Sequence, residues 1–203
     1  MWKRSQIQEY IEALYESNQN IFFVAPTGFG RISLFMYVIE KDLLQNKKNC
    51  LVLTQTKSVS DQIQEDFYKS IEDKSIVQNR SKKFILFKNG SLIEFKSVFD
   101  QWYDMTEYKQ EKTYDILYLD SLQGLTRGRG NEPTLEELYG KYEKIIVTDS
   151  VIQPDSKSLV LFFDMVKMKG GMYQYVNIKT TEDITLELRK MKLKKIKKTI
   201  ILK

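Results

Sequence analysis

Short apolar runs at residues 21–24, 50–53, 116–119, 145–147 and 173–178 alternate with longer polar or amphipathic stretches, and this alternation most limits the fold. Ile21-Phe22-Phe23-Val24 and Ile116-Leu117-Tyr118-Leu119 offer no polar side to water. Such strands must be covered on both faces, as in a mostly parallel sheet sandwiched by helices. The intervening stretches supply the helices. Ile7, Ile11 and Leu14 share one helical face and predict a first helix near residues 4–17, ended by Ser17-Asn18-Gln19-Asn20. Residues 31–44, 59–71 and 156–169 read as further helices, 135–139 as a short one, and 99–112 as helix and loop. Residues 84–87 and 92–95 flank Lys88-Asn89-Gly90-Ser91, and apolar runs around Asn-Gly predict a β-hairpin insertion. In sheets of this class ligands sit at the carboxyl ends of the strands.

Charge is unevenly placed. The formal net charge of +5 comes from the end of the chain, where Arg189, Lys190, Lys192, Lys194, Lys195, Lys197, Lys198 and Lys203 stand with no acid among them. The body is slightly acidic, so charge alone does not imply a domain-wide nucleic-acid surface. We expect one α/β domain over 1–180 and a basic amphipathic tail over 181–203. The chain has no histidine, which excludes histidine-type zinc sites and Ser-His or Cys-His catalysis. The lone Cys50 excludes an internal disulfide, suits a reducing compartment, and reads as a buried small hydrophobe. No apolar stretch is long enough for a membrane span, and polar Ser5-Gln6 follows Met1-Trp2-Lys3-Arg4 where a signal core would begin. A cytoplasmic location is expected.

The loop after the first apolar run carries most of the chemistry. Phe23-Val24-Ala25-Pro26-Thr27-Gly28-Phe29-Gly30-Arg31-Ile32-Ser33 reads as strand, loop and helix. A phosphate-binding loop needs that context, because backbone N–H groups curl round the anion and the helix N-terminus adds its dipole. The usual pattern ends Gly-Lys-Ser/Thr. Here Arg31 takes the lysine place and Ile32 the hydroxyl place. A guanidinium is a longer planar fork than an ammonium, and isoleucine cannot ligate magnesium. Ser33 comes one residue late, about 100° further round the helix. The alternative is a strand-to-helix turn that uses glycine for geometry alone.

A second acidic site follows. Tyr114-Asp115-Ile116-Leu117-Tyr118-Leu119-Asp120-Ser121 is an apolar strand ending in a carboxylate. In phosphate-loop ATPases that carboxylate helps hold magnesium, and a neighbouring glutamate activates water. Asp120 suits the first role, and Ser121 stands where the glutamate belongs. The alternative is an aspartate that caps the next turn.

These segments together resemble a family. Ala25-Pro26-Thr27-Gly28-Phe29-Gly30-Arg31 is similar to the helicase-type loop Ala-Pro-Thr-Gly-x-Gly-Lys. Leu53-Thr54-Gln55-Thr56-Lys57-Ser58-Val59-Ser60-Asp61-Gln62 resembles the threonine-rich turn that follows in such motors. Phe87-Lys88-Asn89-Gly90-Ser91-Leu92-Ile93 resembles the Asn-Gly-Ser hairpin of viral terminase large subunits. Ile145-Ile146-Val147-Thr148-Asp149-Ser150 is similar to the strand whose polar end couples hydrolysis to DNA in both families. The resemblance implies a P-loop NTPase fold, RecA- or terminase-like, over roughly residues 4–178. It implies ATP and Mg2+ as cofactors, weakly held or lost. Gln6, with Gln8 as substitute, would read adenine. Thr27, Gly28, Phe29, Gly30, Arg31, Ile32 and Ser33 would line the nucleotide, Ser33 or Asp120 would approach the metal, and Asp120 and Thr148 would take the catalytic positions. Departures at Arg31, Ile32 and Ser121 fall on positions of chemistry. The implied partners are DNA and other protein subunits: a second motor half, a nuclease or further copies.

Other features point outward. Arg127 and Arg129, on the glycine-rich loop 122–133, suit phosphate clamping or a finger offered to a neighbouring subunit, or simply a solvated loop. Lys194, Lys195, Lys197 and Lys198 suit a phosphate backbone or an anionic surface, or a solvated helix. Trp102, Tyr103 and Tyr108 suit base stacking or, more commonly, core packing. Three functions compete: a non-catalytic or weakly hydrolysing motor-fold module acting on DNA with partners, an active DNA-dependent ATPase of viral packaging or helicase type, and a nucleic-acid binder working through its tail.

Overall fold

The structure, a computed structural model, describes residues 4–17, 20–71, 77–79, 83–97, 114–120, 142–150, 173–178, 186 and 189–190. The chain runs α1 (Arg4–Glu16), β1 (Asn20–Val24), α2 (Arg31–Gln45), β2 (Asn49–Thr54), α3 (Lys57–Ser70), β3 (Val77–Asn79), β4 (Phe84–Leu86), β5 (Leu92–Ser97), β6 (Ile116–Asp120), β7 (Lys144–Asp149) and β8 (Tyr173–Asn177). One eight-stranded sheet has the order β3-β4-β5-β2-β6-β7-β1-β8. From β5 to β8 every neighbouring pair is parallel, while β4 joins β5 and β3 joins β4 antiparallel.

The apolar runs form the central strands because both their faces find cover. Ile21, Phe23, Cys50, Val52, Ile116, Tyr118 and Ile146 pack on one face with Leu14 of α1, Phe35 and Leu43 of α2, and Phe67 of α3. Phe22, Val24, Leu51, Leu53, Leu117, Leu119 and Val147 alternate onto the other face and are buried there too. Burying each such side chain contributes about 1.5–3 kcal/mol, so central positions outweigh the weak intrinsic preferences of short strands. Cys50 is fully buried in β2, in register with Ile93 on one side and Ile116 on the other. Burial pushes its thiol well above the ordinary range.

The expected hairpin forms around Asn89-Gly90 and reaches beyond the sheet. Asn89 Nδ2 donates to Leu43 O at 2.6 Å. Ser91 Oγ donates to Leu43 O at 2.8 Å and Asn46 O at 3.0 Å, and accepts from Lys48 N–H at 3.1 Å. The turn thus satisfies carbonyls at the end of α2 that have no helical partner. Two boundaries differ from expectation. α3 starts at Lys57, before its apolar periodicity, because Thr56 caps it by accepting from Val59 N–H at 3.3 Å. β3 was not expected, since Val77-Gln78-Asn79 carries only one apolar residue.

At the amino edge of the sheet, Lys144 Nζ donates to the Tyr15 carbonyl in the last turn of α1 and lies 3.6 Å from the Tyr15 ring centroid. Tyr15 OH donates to Asp42 at 2.6 Å, and Lys48 pairs with Asp42 at 3.1 Å. These bonds tie the ends of α1 and α2 to the starts of β7 and β2.

The helices expected at 99–112, 135–139 and 156–169, the aromatic group Trp102, Tyr103 and Tyr108, the loop with Arg127 and Arg129, and the boundary after residue 180 lie outside the described residues. So do Lys194, Lys195, Lys197 and Lys198. Leu186, Arg189 and Lys190 are helical and exposed. Among the described residues no helix is long and apolar enough to cross a membrane.

Candidate phosphate site

The loop between β1 and α2 leaves the sheet where Ala25 N–H donates to Asp149 O at 3.1 Å. Pro26, Thr27 and Gly28 are exposed, and Phe29 N–H turns back to Pro26 O at 3.1 Å. Gly28 and Gly30 have φ of 83° and 79°, a region that costs a side chain roughly 1–2 kcal/mol. A Cβ at either glycine would meet nothing within 4 Å, so the backbone angle and not crowding calls for glycine. Phe29 packs on Phe23 at 5.9 Å and pins the loop to the sheet instead of filling it. Gly30 is the N-cap of α2 and supplies no side-chain cap. An open, uncapped helix start behind two left-handed glycines fits an anion such as a phosphate.

Arg31 opens α2 and reaches across to Asp120 at the end of β6, with Nη2 3.7 Å from Oδ1. The contact joins the start of α2, which follows β1, to the end of a strand that is not a neighbour of β1, because β7 lies between β1 and β6. Its Nε is buried with no hydrogen-bond partner among the described residues. Thr148 of β7 is fully buried and donates to Asp120 Oδ1 at 3.3 Å. Its hydroxyl is also 2.8 Å from Tyr118 OH. With the threonine proton directed to Asp120, Tyr118 is the donor in that second bond. Burial holds the Asp120 carboxyl above the ordinary carboxylate range; Arg31 and Thr148 pull it back, and nearby Asp149 adds to the rise. Strand register sets Ser97, Thr54, Asp120 and Thr148 side by side across β5, β2, β6 and β7.

The other residues proposed from sequence fall as follows. Ile32 is partly buried against the core, so the usual hydroxyl place is a packing position here. Ser33 is exposed on α2. Gln6 lies in α1, and its side chain and Ser121 are outside the described residues. Among the described residues no group of three or more His, Cys, Asp or Glu could hold a metal. With a guanidinium beside Asp120 and an apolar side chain at position 32, the described donors do not by themselves fit magnesium.

Residues 2–151 match the family described as type III restriction enzyme, res subunit. The chain belongs to that family. The res-subunit match covers the phosphate loop, the hairpin and the strands that carry Asp120 and Thr148. Over 89 residues the chain is 27% identical to the U5 small nuclear ribonucleoprotein 200 kDa helicase of Mus musculus, and equally to that of Rattus norvegicus. That stretch is 43% of this chain and 4% of either helicase, so this chain spans a small part of them. Its fold is similar to the HK97 bacteriophage large terminase, with a TM-score of 0.59 at 12% identity over 87% of this chain and 39% of the terminase. It is also similar to the Pyrococcus furiosus Hef helicase domain, with a TM-score of 0.56 at 17% identity over 91% of this chain and 39% of that one. The ATPase domain of the Thermus phage P74-26 large terminase gives 0.55 at 13% identity, over 96% of this chain and 87% of that domain. The fold of this res-subunit family member is therefore the helicase- and terminase-like P-loop ATPase fold.

Sequence reasoning missed Tyr118 and the capping role of Asn89 and Ser91. Tyr118 sits in an apolar run where tyrosine reads as core, and only the parallel register with β7 brings its hydroxyl to Thr148.

Proposed function

We propose that this domain binds the phosphates of a nucleotide, ATP in the first instance, through Gly28, Phe29, Gly30 and Arg31, and acts on DNA together with partner subunits while hydrolysing ATP weakly or not at all. The observation that carries this reading is the Arg31–Asp120 pair at 3.7 Å. Proteins of the ATPase fold generally use ATP and Mg2+. Here, among the described residues, a positive group of the chain itself stands beside the carboxylate. Arginine forms two parallel bonds to phosphate oxygens more readily than lysine, which supports anion binding. Magnesium would have to approach Asp120 past that cation and without a hydroxyl at position 32, which opposes ordinary hydrolysis. Thr148 would answer changes at the phosphate only through Asp120, because it is buried. In this reading Gln6 would contact the base. Arg127, Arg129, Lys194, Lys195, Lys197 and Lys198 would meet DNA phosphates or a neighbouring subunit.

Equilibrium binding of ATP and a non-hydrolysable analogue, in magnesium and in EDTA, tests the reading alongside ATP turnover with and without DNA. Binding is expected to survive EDTA, with turnover slow or absent and unchanged by DNA. Magnesium-dependent turnover stimulated by DNA would overturn it in favour of an active motor.

A further inference from the structure

Arg31 has two claims on it. Its guanidinium is the one charged group of the loop, yet in the described structure it faces the Asp120 carboxylate at 3.7 Å. Both side chains are mostly buried, at 15% and 12% exposure, so water screens the pair less than it would a surface pair. The separation is too long for a hydrogen bond, and Arg31 Nε is left without a partner among the described residues. The carboxylate, by contrast, is anchored: Thr148 donates to it, and Tyr118 backs Thr148 from the same strand as Asp120. A fixed anion therefore holds a cation whose own donors are incompletely used.

We infer that Asp120 is an internal competitor for Arg31, a built-in anion that an incoming phosphate group must displace before the loop can close on it. This rests on the proposal that the loop binds phosphates. The ligand class follows from the donors: a polyphosphate without bound metal, whose oxygens offer the guanidinium the paired acceptors that Asp120 at this distance does not. Removing the charge of Asp120 then strengthens binding. In a site where this carboxylate serves a metal, the same change weakens binding of the metal complex.

The test uses the full chain with sodium tripolyphosphate in EDTA as probe, read by calorimetry. Asp120→Asn keeps the shape and an acceptor for Thr148 while removing the charge. Exposed pairs at their strongest correspond to about fivefold in binding, so releasing this less screened pair is expected to tighten binding by at least about fivefold. Arg31→Gln is expected to abolish that gain, because the competition acts through the guanidinium. A gain confined to chains with Arg31 supports the inference. No gain, weaker binding, or an equal gain in the Arg31→Gln background overturns it while leaving the phosphate site standing. No binding to the unmodified chain or to Asp120→Asn overturns the phosphate reading itself, and the inference with it. Nitrogen-15 spectra of the unmodified chain, with Arg31 assigned from Arg31→Gln, supply a second measurement should Asp120→Asn not fold. The Arg31 Nε–H signal is expected to move on adding tripolyphosphate, and a fixed signal during measurable binding overturns the inference.

Discussion

Replacing Ser91 with alanine removes one oxygen and nearly no volume, so its cost reads the capping of α2 by the hairpin. The residue is fully buried. Its hydroxyl proton is shared between Leu43 O at 2.8 Å and Asn46 O at 3.0 Å, and its oxygen accepts Lys48 N–H at 3.1 Å. Losing the donated bond costs about 1 kcal/mol, and orphaning a part-buried N–H adds about 1–3 kcal/mol. The total is about 2–4 kcal/mol, which for a chain of this size lowers the melting temperature by about 4–16 °C. Urea unfolding is the direct assay: the midpoint falls while the slope stays constant, since the surface exposed on unfolding is unchanged. Lys88→Ala, at an exposed position of the same turn, serves as control and is expected to be near neutral. A loss below about 0.5 kcal/mol for Ser91→Ala, the range of ordinary surface changes, would refute the claim that this hydroxyl satisfies the end of α2.

Three further outcomes are expected. Gly30→Ala places a side chain at φ 79° and is expected to cost about 1–2 kcal/mol from the backbone alone, since the site is open; a neutral melting temperature would count against the loop conformation. Burial lowers the Lys144 ammonium to about 8 from its ordinary 10.5, so between those values the unfolded chain holds more protons. Stability relative to Lys144→Met is therefore expected to rise as pH climbs from 8 towards 10.5, and a flat difference would show that Lys144 is not desolvated. Arg31→Lys, Ile32→Thr and Ser121→Glu together are expected to create magnesium-dependent ATP turnover if the rest of the pocket is sound; continued silence in a folded variant would mean that the pocket itself is lost.

The strands were legible because both-face burial leaves an unmistakable apolar signature in runs such as Ile145-Ile146-Val147. Helix starts were less so. α3 begins two residues before its first apolar position because a threonine cap, not periodicity, decides the boundary. Val77–Asn79 was invisible for the same reason that it is short: it is held by pairing with β4, and its residues carry little of the strand pattern. The phosphate loop could be read from its glycines and proline. That Arg31 meets Asp120 could not, because the two residues are far apart in sequence and meet only once β7 sits between β6 and β1, the strand that leads into α2. Ile32 looked like a lost ligand and is also a packing residue, a distinction that needs the third dimension.

Cys50 gives the natural chain an internal reporter. The sole sulfhydryl is sealed in a central strand and resists ionisation, so alkylating reagents find nothing to react with until β2 leaves its neighbours. The rate of labelling in dilute urea is thus a clock for opening of the sheet, with no engineered label. A ligand that grips the native form would slow that clock in proportion to its occupancy, turning one inert atom into a measure of binding at the far edge.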